Sequence, residues 1–188
     1  MIEDDDAMKL WDEAAAPFAS FVREGKDYHR DELHDPAAFR LIGEVRGSRV
    51  LDLACGEGSN TRILARRGVK VVGVDFTAKM IELARQEVAK ENLGIVYFVS
   101  DAVDLREFPN DGFDFVACFM GFHDIEQYER AVGEVPRVIN GSGRFVFFIP
   151  HPCFGDVAKG DETIIGWRSN REMQNAEGEP EHLEVMQY

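Results

Sequence analysis

The first part of the chain carries apolar residues at the spacing of one helix face. This spacing predicts a helix within residues 7–24, with Gly25 as a natural stop. A second, shorter helix is predicted at residues 36–45, with Asp35 as its N-cap and Pro36 at its first position. Both helices precede the first strand-like run, so we expect them to form an N-terminal helical cap.

From residue 49 onward, apolar runs of strand length alternate with segments of helical spacing. Buried strands that alternate with helices imply right-handed crossovers and a parallel, doubly wound sheet. We therefore predict an α/β fold with a mostly parallel sheet and helices on both faces. The predicted elements are strands at residues 50–54, 69–74, 95–99, 113–119 and 144–149, helices at residues 59–67, 77–90 (capped by Thr77) and 124–139, and a turn at residues 140–143.

A chain of 188 residues fits a single domain. Within it we expect the helical cap at residues 1–48, the core at residues 49–150 and a C-terminal segment at residues 151–188. That last segment contains Gly, Pro and acidic clusters and one strand-like run at residues 163–167. It is predicted to be either a lid over the site or a partly disordered tail.

The formal net charge is −14, from 21 Lys and Arg against 35 Asp and Glu. Too few cations are uncompensated to neutralise a phosphate backbone, which argues against nucleic acid as a partner. One basic group, made of Arg62, Arg66, Arg67 and Lys70, has the spacing of a helix surface, and we interpret it as a solvated face.

The three cysteines, Cys55, Cys118 and Cys153, are widely separated, so they form neither a disulfide framework nor a CxxC metal pair. No apolar run approaches the roughly 18 residues that a membrane span needs. The acidic residues 1–6 differ from the basic start of a signal peptide. These observations predict a cytoplasmic protein without a membrane segment.

A strand that ends in Asp52 and continues through Ala54, Gly56 and Gly58 into a helix is typical of a nucleotide-cofactor turn. Small residues let the backbone approach the ligand, and free amides at the helix start face its polar groups. Asp75 lies at the tip of the next strand, where a carboxylate can accept hydrogen bonds from a ribose diol. The alternative role of Asp75 is to cap the helix that follows it.

Two residues argue against a dinucleotide. The dinucleotide fingerprint requires a third glycine where this chain has Thr61. Asp52 would repel a pyrophosphate but would suit an ammonium group, its alternative role being that of an interior acid that caps the Gly-rich loop. S-adenosylmethionine has no phosphate and carries a methionyl ammonium, so the residues favour it over NAD.

Segments of residues 49–150 resemble, in order, the motifs of the class I, Rossmann-like S-adenosylmethionine-dependent methyltransferases. Residues 52–58 resemble motif I, with Ala54 in place of the first glycine; residues 72–80 resemble the ribose-binding segment and residues 99–102 the adenine-binding turn. The resemblance implies that S-adenosylmethionine is the cofactor, with S-adenosylhomocysteine as product. The residues that it implies as cofactor contacts are Asp52, Ala54, Gly56, Gly58, Asp75, Phe76, Asp101, Ala102 and Phe119.

Two further expectations about the cofactor follow from the resemblance. N-terminal segments of the family fold over the cofactor, which brings Tyr28 or Arg30 to its carboxylate. Asp101 is expected to bind the exocyclic amine of adenine, with the capping of a turn as its alternative role.

Residues beyond the carboxyl ends of the fourth and fifth strands are the candidates for catalysis, because open α/β sheets bind ligands at that edge. His123 is the candidate general base, since imidazole titrates near neutrality, and His151 is the second candidate. A helix start is the alternative for His123, and a packing role for His151. Phe119 and Phe122 could face the sulfonium through cation–π contact, with core packing as the alternative.

The acceptor side indicates a small molecule. The family's amine and nucleobase enzymes often carry an Asn/Asp-Pro-Pro-Tyr/Phe run after strand four, whereas this chain has residues 119–122, Phe-Met-Gly-Phe. Together with the acidic surface, this difference favours a small-molecule acceptor over DNA or RNA. No metal site is predicted, because the rim residues His123, Asp124, His151 and Cys153 lack metal-ligand spacing.

The family sheet usually ends in an antiparallel hairpin, but the 39 residues after Ile149 contain no two convincing strands. The hairpin is therefore predicted to be missing or altered, in a truncated form or with the edge finished another way. An exposed edge favours pairing with a second copy, so a homodimer is expected. Two alternatives to methyl transfer stay open: a cofactor-binding domain without efficient turnover, and an NAD-dependent oxidoreductase.

Overall fold

The computed structural model describes residues 4–149, which lie in the first of the two units into which the chain divides at Pro150. The helices are α1 (Asp4–Arg23), α2 (Asp35–Ile42), α3 (Ser59–Arg66), α4 (Ala78–Val88) and α5 (Tyr128–Val138), with a π-helical turn at Arg30–His34 and a 3₁₀ turn at Phe122–Asp124. The strands are β1 (Arg49–Leu53), β2 (Lys70–Asp75), β3 (Val96–Val99), β4 (Phe113–Phe119) and β5 (Ile139–Phe148).

The five strands form one sheet in the order β3-β2-β1-β4-β5, and every neighbouring pair is parallel. The order reverses beside β1, so the carboxyl ends of β1 and β4 diverge into a crevice where open sheets bind ligands. The predicted α/β fold with a parallel sheet is therefore confirmed. The predicted lid and the missing hairpin fall on residues outside the described range.

Apolar side chains cover both faces of the sheet, as the continuous apolar runs predict. One face of β1 and β4 packs under α5, and its buried residues are Leu51, Leu53, Val116, Cys118, Ala131, Val135 and Val138. The other face packs under α2 and α3, and its buried residues are Val50, Phe115, Ala117, Phe39, Ile42 and Leu64. The central strands are therefore held between two helical layers. Polar residues such as Asp52 and Asp75 lie near the carboxyl ends of these strands.

One predicted helix cap is wrong, and the other is right in position but makes no side-chain bond. Asp35 is the first residue of α2 and makes no cap; its carboxylate instead receives Nδ2 of Asn60 at 3.1 Å and lies 3.2 Å from Nε of Arg30. Thr77 occupies the N-cap position of α4, but its side chain makes no capping bond. Asp75 performs that role by accepting the Thr77 amide at 2.9 Å.

The predicted helix at residues 124–139 and the turn after it are also corrected. Ile125 turns inward onto the core below α5, so the chain makes only a 3₁₀ turn before α5 begins at Tyr128. The predicted turn at residues 140–143 is an irregularity inside β5, where the register passes from Ile139 opposite Phe113 to Arg144 opposite Phe115.

Among the helices in the described part of the chain, none is long and apolar enough to cross a membrane.

Candidate functional site

The Gly-rich loop, residues 54–58, joins β1 to α3 at the crevice. Ala54, Gly56 and Gly58 all have positive φ, at 52°, 54° and 79°. The amide of Gly56 donates to Oδ2 of Asp75 at 2.8 Å, which ties the loop to the end of β2. Left-handed backbone at three of five positions explains why the loop needs small residues and why Ala54 is the unusual member.

Asp52 is the next-to-last residue of β1, just before this loop, and is only 1% exposed. Thr61, in the first turn of α3, donates its hydroxyl to Oδ2 of Asp52 at 2.6 Å. Oδ1 is buried and has no partner among the residues that the structure describes. Burial, with a smaller contribution from the negative charges of Asp75 and Asp35, raises the pKa of Asp52 to about 7 against the lowering effect of the Thr61 hydrogen bond.

Asp75 is buried at the end of β2, and both of its oxygens hold backbone amides, those of Gly56 and Thr77. Burial raises the pKa of this carboxyl, while the two amides lower it. The expected capping role therefore exists, and it leaves acceptor capacity on each oxygen for a ligand hydroxyl because a carboxylate offers about four lone-pair sites.

Arg30 reaches the same region from the π-helical turn before α2. Its Nη2 donates to the hydroxyl of Ser59 at 2.5 Å, and its Nε lies 3.2 Å from Oδ2 of Asp35. Nη1 is buried without a hydrogen-bond partner in residues 4–149, and it lies 4.0 Å from Oδ1 of Asp31. Tyr28, the other expected carboxylate contact, is 66% exposed and lies edge-on against the ring of His29.

The remaining expected cofactor residues follow β2 and β3. Asp101 is exposed and caps a turn, since its Oδ1 accepts the Val103 amide at 3.0 Å. Ala102 is buried in the core below α5, and Phe76 is half-buried between Asp75 and Thr77. The turn that holds Asp101 and Ala102 thus lies two residues beyond the end of β3.

Aromatic packing accounts for both phenylalanines at the end of β4. The ring of Phe119 lies 5.5 Å from that of Phe39 and parallel to that of Phe148 at 6.5 Å between centroids. Phe122 is buried edge-on against Phe145 and Phe147. Phe119 is only half-buried, so part of it remains open at the crevice.

His123 is exposed in the 3₁₀ turn, and its Nε2 lies 3.5 Å from Oδ2 of Asp124. Burial raises the pKa of Asp124, and the neighbouring His123 lowers it. The charge of Asp124 in turn raises the pKa of Asp75. His123 therefore lies in the turn that follows β4, next to Asp124. His151, the second candidate base, lies outside the described residues, as do Cys153 and the rest of that rim.

Sequence reasoning missed several residues that support the loop. Arg62 is not part of a solvated face: it is 5% exposed and binds the buried carboxylate of Glu57 at 3.0 Å. Arg23 of α1 reaches the same carboxylate at 2.8 Å. Below the loop, Tyr97 of β3 fills the space beside Gly58 and Gly73. A glutamate between two loop glycines was a usable signal for a buried ion pair.

Two of the four buried side-chain atoms without a hydrogen-bond partner in the described residues suit one kind of ligand. Arg30 Nη1 is a buried cationic donor and Asp52 Oδ1 a buried anionic acceptor, and both side chains are held by residues in the first turn of α3. Buried polar groups without partners are costly, so the pair favours a ligand with a carboxylate and an ammonium group. The methionyl end of S-adenosylmethionine has both. Within residues 4–149, no three His, Cys, Asp or Glu side chains are grouped to hold a metal ion.

A family model described as a methyltransferase domain matches residues 51–147, which span the sheet from β1 to β5. The chain belongs to this methyltransferase domain family. The match covers the Gly-rich loop, Asp75, Asp101 and His123.

Individual relatives of the chain are also named as methyltransferases. A demethylmenaquinone methyltransferase of Thermus thermophilus is 39% identical over 119 residues, which cover 61% of this chain and 54% of the relative. One of Clavibacter sepedonicus is 34% identical over 62% of this chain and 46% of its own length. The crystal structure of an S-adenosylmethionine-dependent methyltransferase from Mesorhizobium loti has a TM-score of 0.58 at 33% identity, and covers 63% of this chain and 54% of its own. The chain thus spans about half the length of these relatives.

Proposed function

We propose that the protein binds S-adenosylmethionine at the carboxyl edge of its sheet and catalyses transfer of the methyl group to a small-molecule acceptor, with S-adenosylhomocysteine as product. The observation that carries this proposal is the pair of buried, unpartnered atoms Arg30 Nη1 and Asp52 Oδ1. A single amino-acid moiety would satisfy both atoms. A nicotinamide dinucleotide would bring a pyrophosphate toward Asp52 instead.

The other residues receive roles by their positions around that pair. Gly56 and Gly58 keep the loop backbone open to the ligand, and Asp75 accepts from the ribose hydroxyls beside the loop amide that it already holds. Asp101 and the amide of Ala102 lie at the end of β3 for the adenine ring, with Phe76 next to Asp75. These assignments agree with the family match over residues 51–147.

On the acceptor side, we propose an apolar aromatic molecule. Phe119 and Phe148 offer half-buried rings at the ends of β4 and β5, and residues 119–122 include no charged side chain. The names of the relatives, demethylmenaquinone methyltransferases, support an acceptor of this chemistry.

His123 is proposed as the base that removes a proton from the acceptor, with Asp124 beside it to stabilise the protonated imidazole. The cofactor supplies a methyl carbon on a good leaving group, so the protein's main task is to hold the acceptor atom close and in line. Phe119 contributes to that alignment through the part of its side chain that stays exposed. His151 stays a candidate outside the described residues.

We also propose a homodimer. In the described part of the chain, β5 forms an edge of the sheet, and Phe147 on it and Ile149 just after it are exposed. Unpaired strand edges favour association with another strand. The net charge of −14 argues against nucleic acid as a partner. The cytoplasmic location stays a prediction.

Titration calorimetry with S-adenosylmethionine, S-adenosylhomocysteine and NAD tests the cofactor assignment. We expect both sulfur nucleosides to bind and NAD not to bind; tight binding of NAD alone would overturn the proposal in favour of an oxidoreductase. Radiolabelled methyl transfer to a panel of hydroxylated aromatic compounds then tests catalysis. Binding without transfer to any acceptor would support the non-catalytic alternative.

The role of His123 is tested in the same transfer assay. Because a general base contributes about 100-fold or more, His123→Gln is expected to lower kcat by that factor and leave S-adenosylhomocysteine affinity unchanged. Glu126→Gln, a change of an exposed residue three positions further on, is the matched control. Equal kcat values for the two variants would remove His123 from the mechanism.

A further inference from the structure

A buried ionic cluster holds the middle of the Gly-rich loop, and it consists of Glu57, Arg62 and Arg23. Glu57 is 2% exposed and lies between the two loop glycines. Nη2 of Arg62 donates to both carboxylate oxygens, at 3.0 and 3.1 Å, and Nε of Arg23 donates to Oε2 at 2.8 Å. One carboxylate in the cofactor loop thus has two cationic partners from different helices.

The Arg62 contact is local to the loop. Nη1 of Arg62 also donates to the backbone carbonyl of Glu57 at 2.6 Å, so one guanidinium holds both the side chain and the main chain of the same residue. These hydrogen bonds involve only residues 57–62 and do not require α1.

The Arg23 contact is long-range. Arg23 is the last residue of α1, and besides Glu57 it donates Nη2 to the carbonyl of Leu83 at 3.1 Å and places Nη1 3.5 Å from Glu87. Leu83 and Glu87 belong to α4, against which α1 lies. Arg23 therefore bridges the cofactor loop and α4, and its position depends on the docking of α1.

We propose that Arg23 is a positioning residue that couples the docking of α1 to the geometry of the cofactor loop through Glu57. Arg23 touches neither cofactor nor acceptor. A buried carboxylate that loses one of its two cationic partners must move toward the other partner or toward water. When Glu57 moves, the adjacent residues Gly56 and Gly58 move with it. Displacement of α1 thus weakens cofactor binding. The identity of the ligand rests on the proposed function; the coupling does not.

The test uses the full chain with Arg23→Met, which keeps the apolar stem and removes the charge. We expect the Kd for S-adenosylhomocysteine to rise about tenfold, within the range typical of linked sites, while kcat at saturating cofactor changes little. Arg66→Met is the matched control, because it removes an exposed ion pair between α3 and Glu91 that does not touch the loop. Its Kd is expected to equal that of the unchanged protein.

A double variant separates coupling from general destabilisation. If Arg23 acts through Glu57, Arg23→Met adds nothing to the Kd of Glu57→Gln, whereas a purely structural role adds its full effect in both backgrounds. A Kd for Arg23→Met within twofold of the unchanged protein would overturn the coupling.

Hydrogen exchange at the Gly56 and Gly58 amides gives a readout that needs no ligand. Faster exchange at these two amides in Arg23→Met, or in Arg23→Lys if the methionine variant does not fold, supports the coupling even if the unchanged protein binds no sulfur nucleoside. Unchanged exchange there overturns it.

Discussion

Thr61 donates a 2.6 Å hydrogen bond to one carboxylate oxygen of Asp52, and the other oxygen of Asp52 is buried without a partner in the described structure. This interaction holds one oxygen of the carboxylate and leaves the other free to accept a hydrogen bond from a ligand. Thr61 stands where the dinucleotide fingerprint has its third glycine. Its hydroxyl thus holds Asp52, the carboxylate that we expect to contact the ammonium group.

This arrangement predicts opposite pH effects on stability and on cofactor binding. Burial raises the pKa of Asp52 from 3.8 to about 7. The stability that this raised pKa contributes is full below the unfolded pKa, near 4, and is lost as the pH rises through about 7. Affinity for the ligand ammonium should rise over the same interval, because the charged carboxylate binds it best.

Denaturant unfolding and calorimetry between about pH 5.5 and about pH 7.5 measure both effects. Asp52→Asn is expected to flatten both curves. Asp75 shares the raised direction of pKa and remains in the variant, so the difference between the two proteins isolates Asp52. An affinity for S-adenosylhomocysteine that stays constant with pH in the unchanged protein would contradict the assigned role.

Arg30 gives the second prediction. Arg30→Met removes the unpartnered Nη1 donor and should weaken S-adenosylhomocysteine binding at least about tenfold, since a hydrogen bond to a charged group contributes about 1.5–3 kcal/mol. The affinity for 5′-methylthioadenosine, which lacks the amino-acid moiety, should not change. Tyr28→Phe is the control, because Tyr28 is exposed and is the alternative candidate for contact with the ligand carboxylate. Equal losses for both ligands would show a general disturbance of the site.

Local sequence patterns sufficed for the strands and for the loop. The apolar run of β4 buries most of that strand, so β4 is found at residues 113–119, as predicted. The glycine types at positions 56 and 58 likewise permit the positive φ values that the loop adopts. These features depend on neighbours in the chain, and one sequence is enough to find them.

Features that depend on distant partners could not be predicted in the same way. Asp35 has the pattern of a helix cap, but Asn60 and Arg30 compete for its carboxylate. Arg62 has the spacing of an exposed helix face, but it binds Glu57, whose carboxylate is also held by Arg23 of the distant helix α1. In each case a tertiary ion pair overrides a local preference, and its partners become visible only when the sheet brings them together.

The third prediction concerns the two glycines of the loop. A Cβ on Gly58 would overlap the hydroxyl of Tyr97 and lie 2.8 Å from its Cζ, whereas a Cβ on Gly56 would meet nothing within 4 Å. Both have positive φ. Gly56→Ala should therefore cost about 1 kcal/mol from backbone strain alone. Gly58→Ala should cost about 3 kcal/mol, because overpacking adds to the strain.

The free energies of unfolding of the two variants, measured in denaturant, decide this point. Tyr97→Phe removes the hydroxyl that lies nearest to the added methyl group, so it should recover part of the loss in Gly58→Ala and none in Gly56→Ala. Equal losses of unfolding free energy in the two variants would mean that Tyr97 moves aside at no energetic cost.

The last prediction links the loop after β1 to the loop after β4. Ala54 occupies the first glycine position of the motif with φ 52°, and a Cβ on Gly121 would lie 2.5 Å from the Cβ of Ala54. Gly121→Ala should therefore cost about 2 kcal/mol through overpacking, and Ala54→Gly should recover most of that cost in the double variant. Ala54→Gly alone should change stability by less than about 1 kcal/mol, because relief of strain offsets the greater freedom of the unfolded chain. Denaturant unfolding of the four proteins gives the interaction energy. A value near zero would mean that the two loops are independent, whereas the expected coupling would show that alanine at position 54 is tolerated because residue 121, two positions before His123, has no side chain.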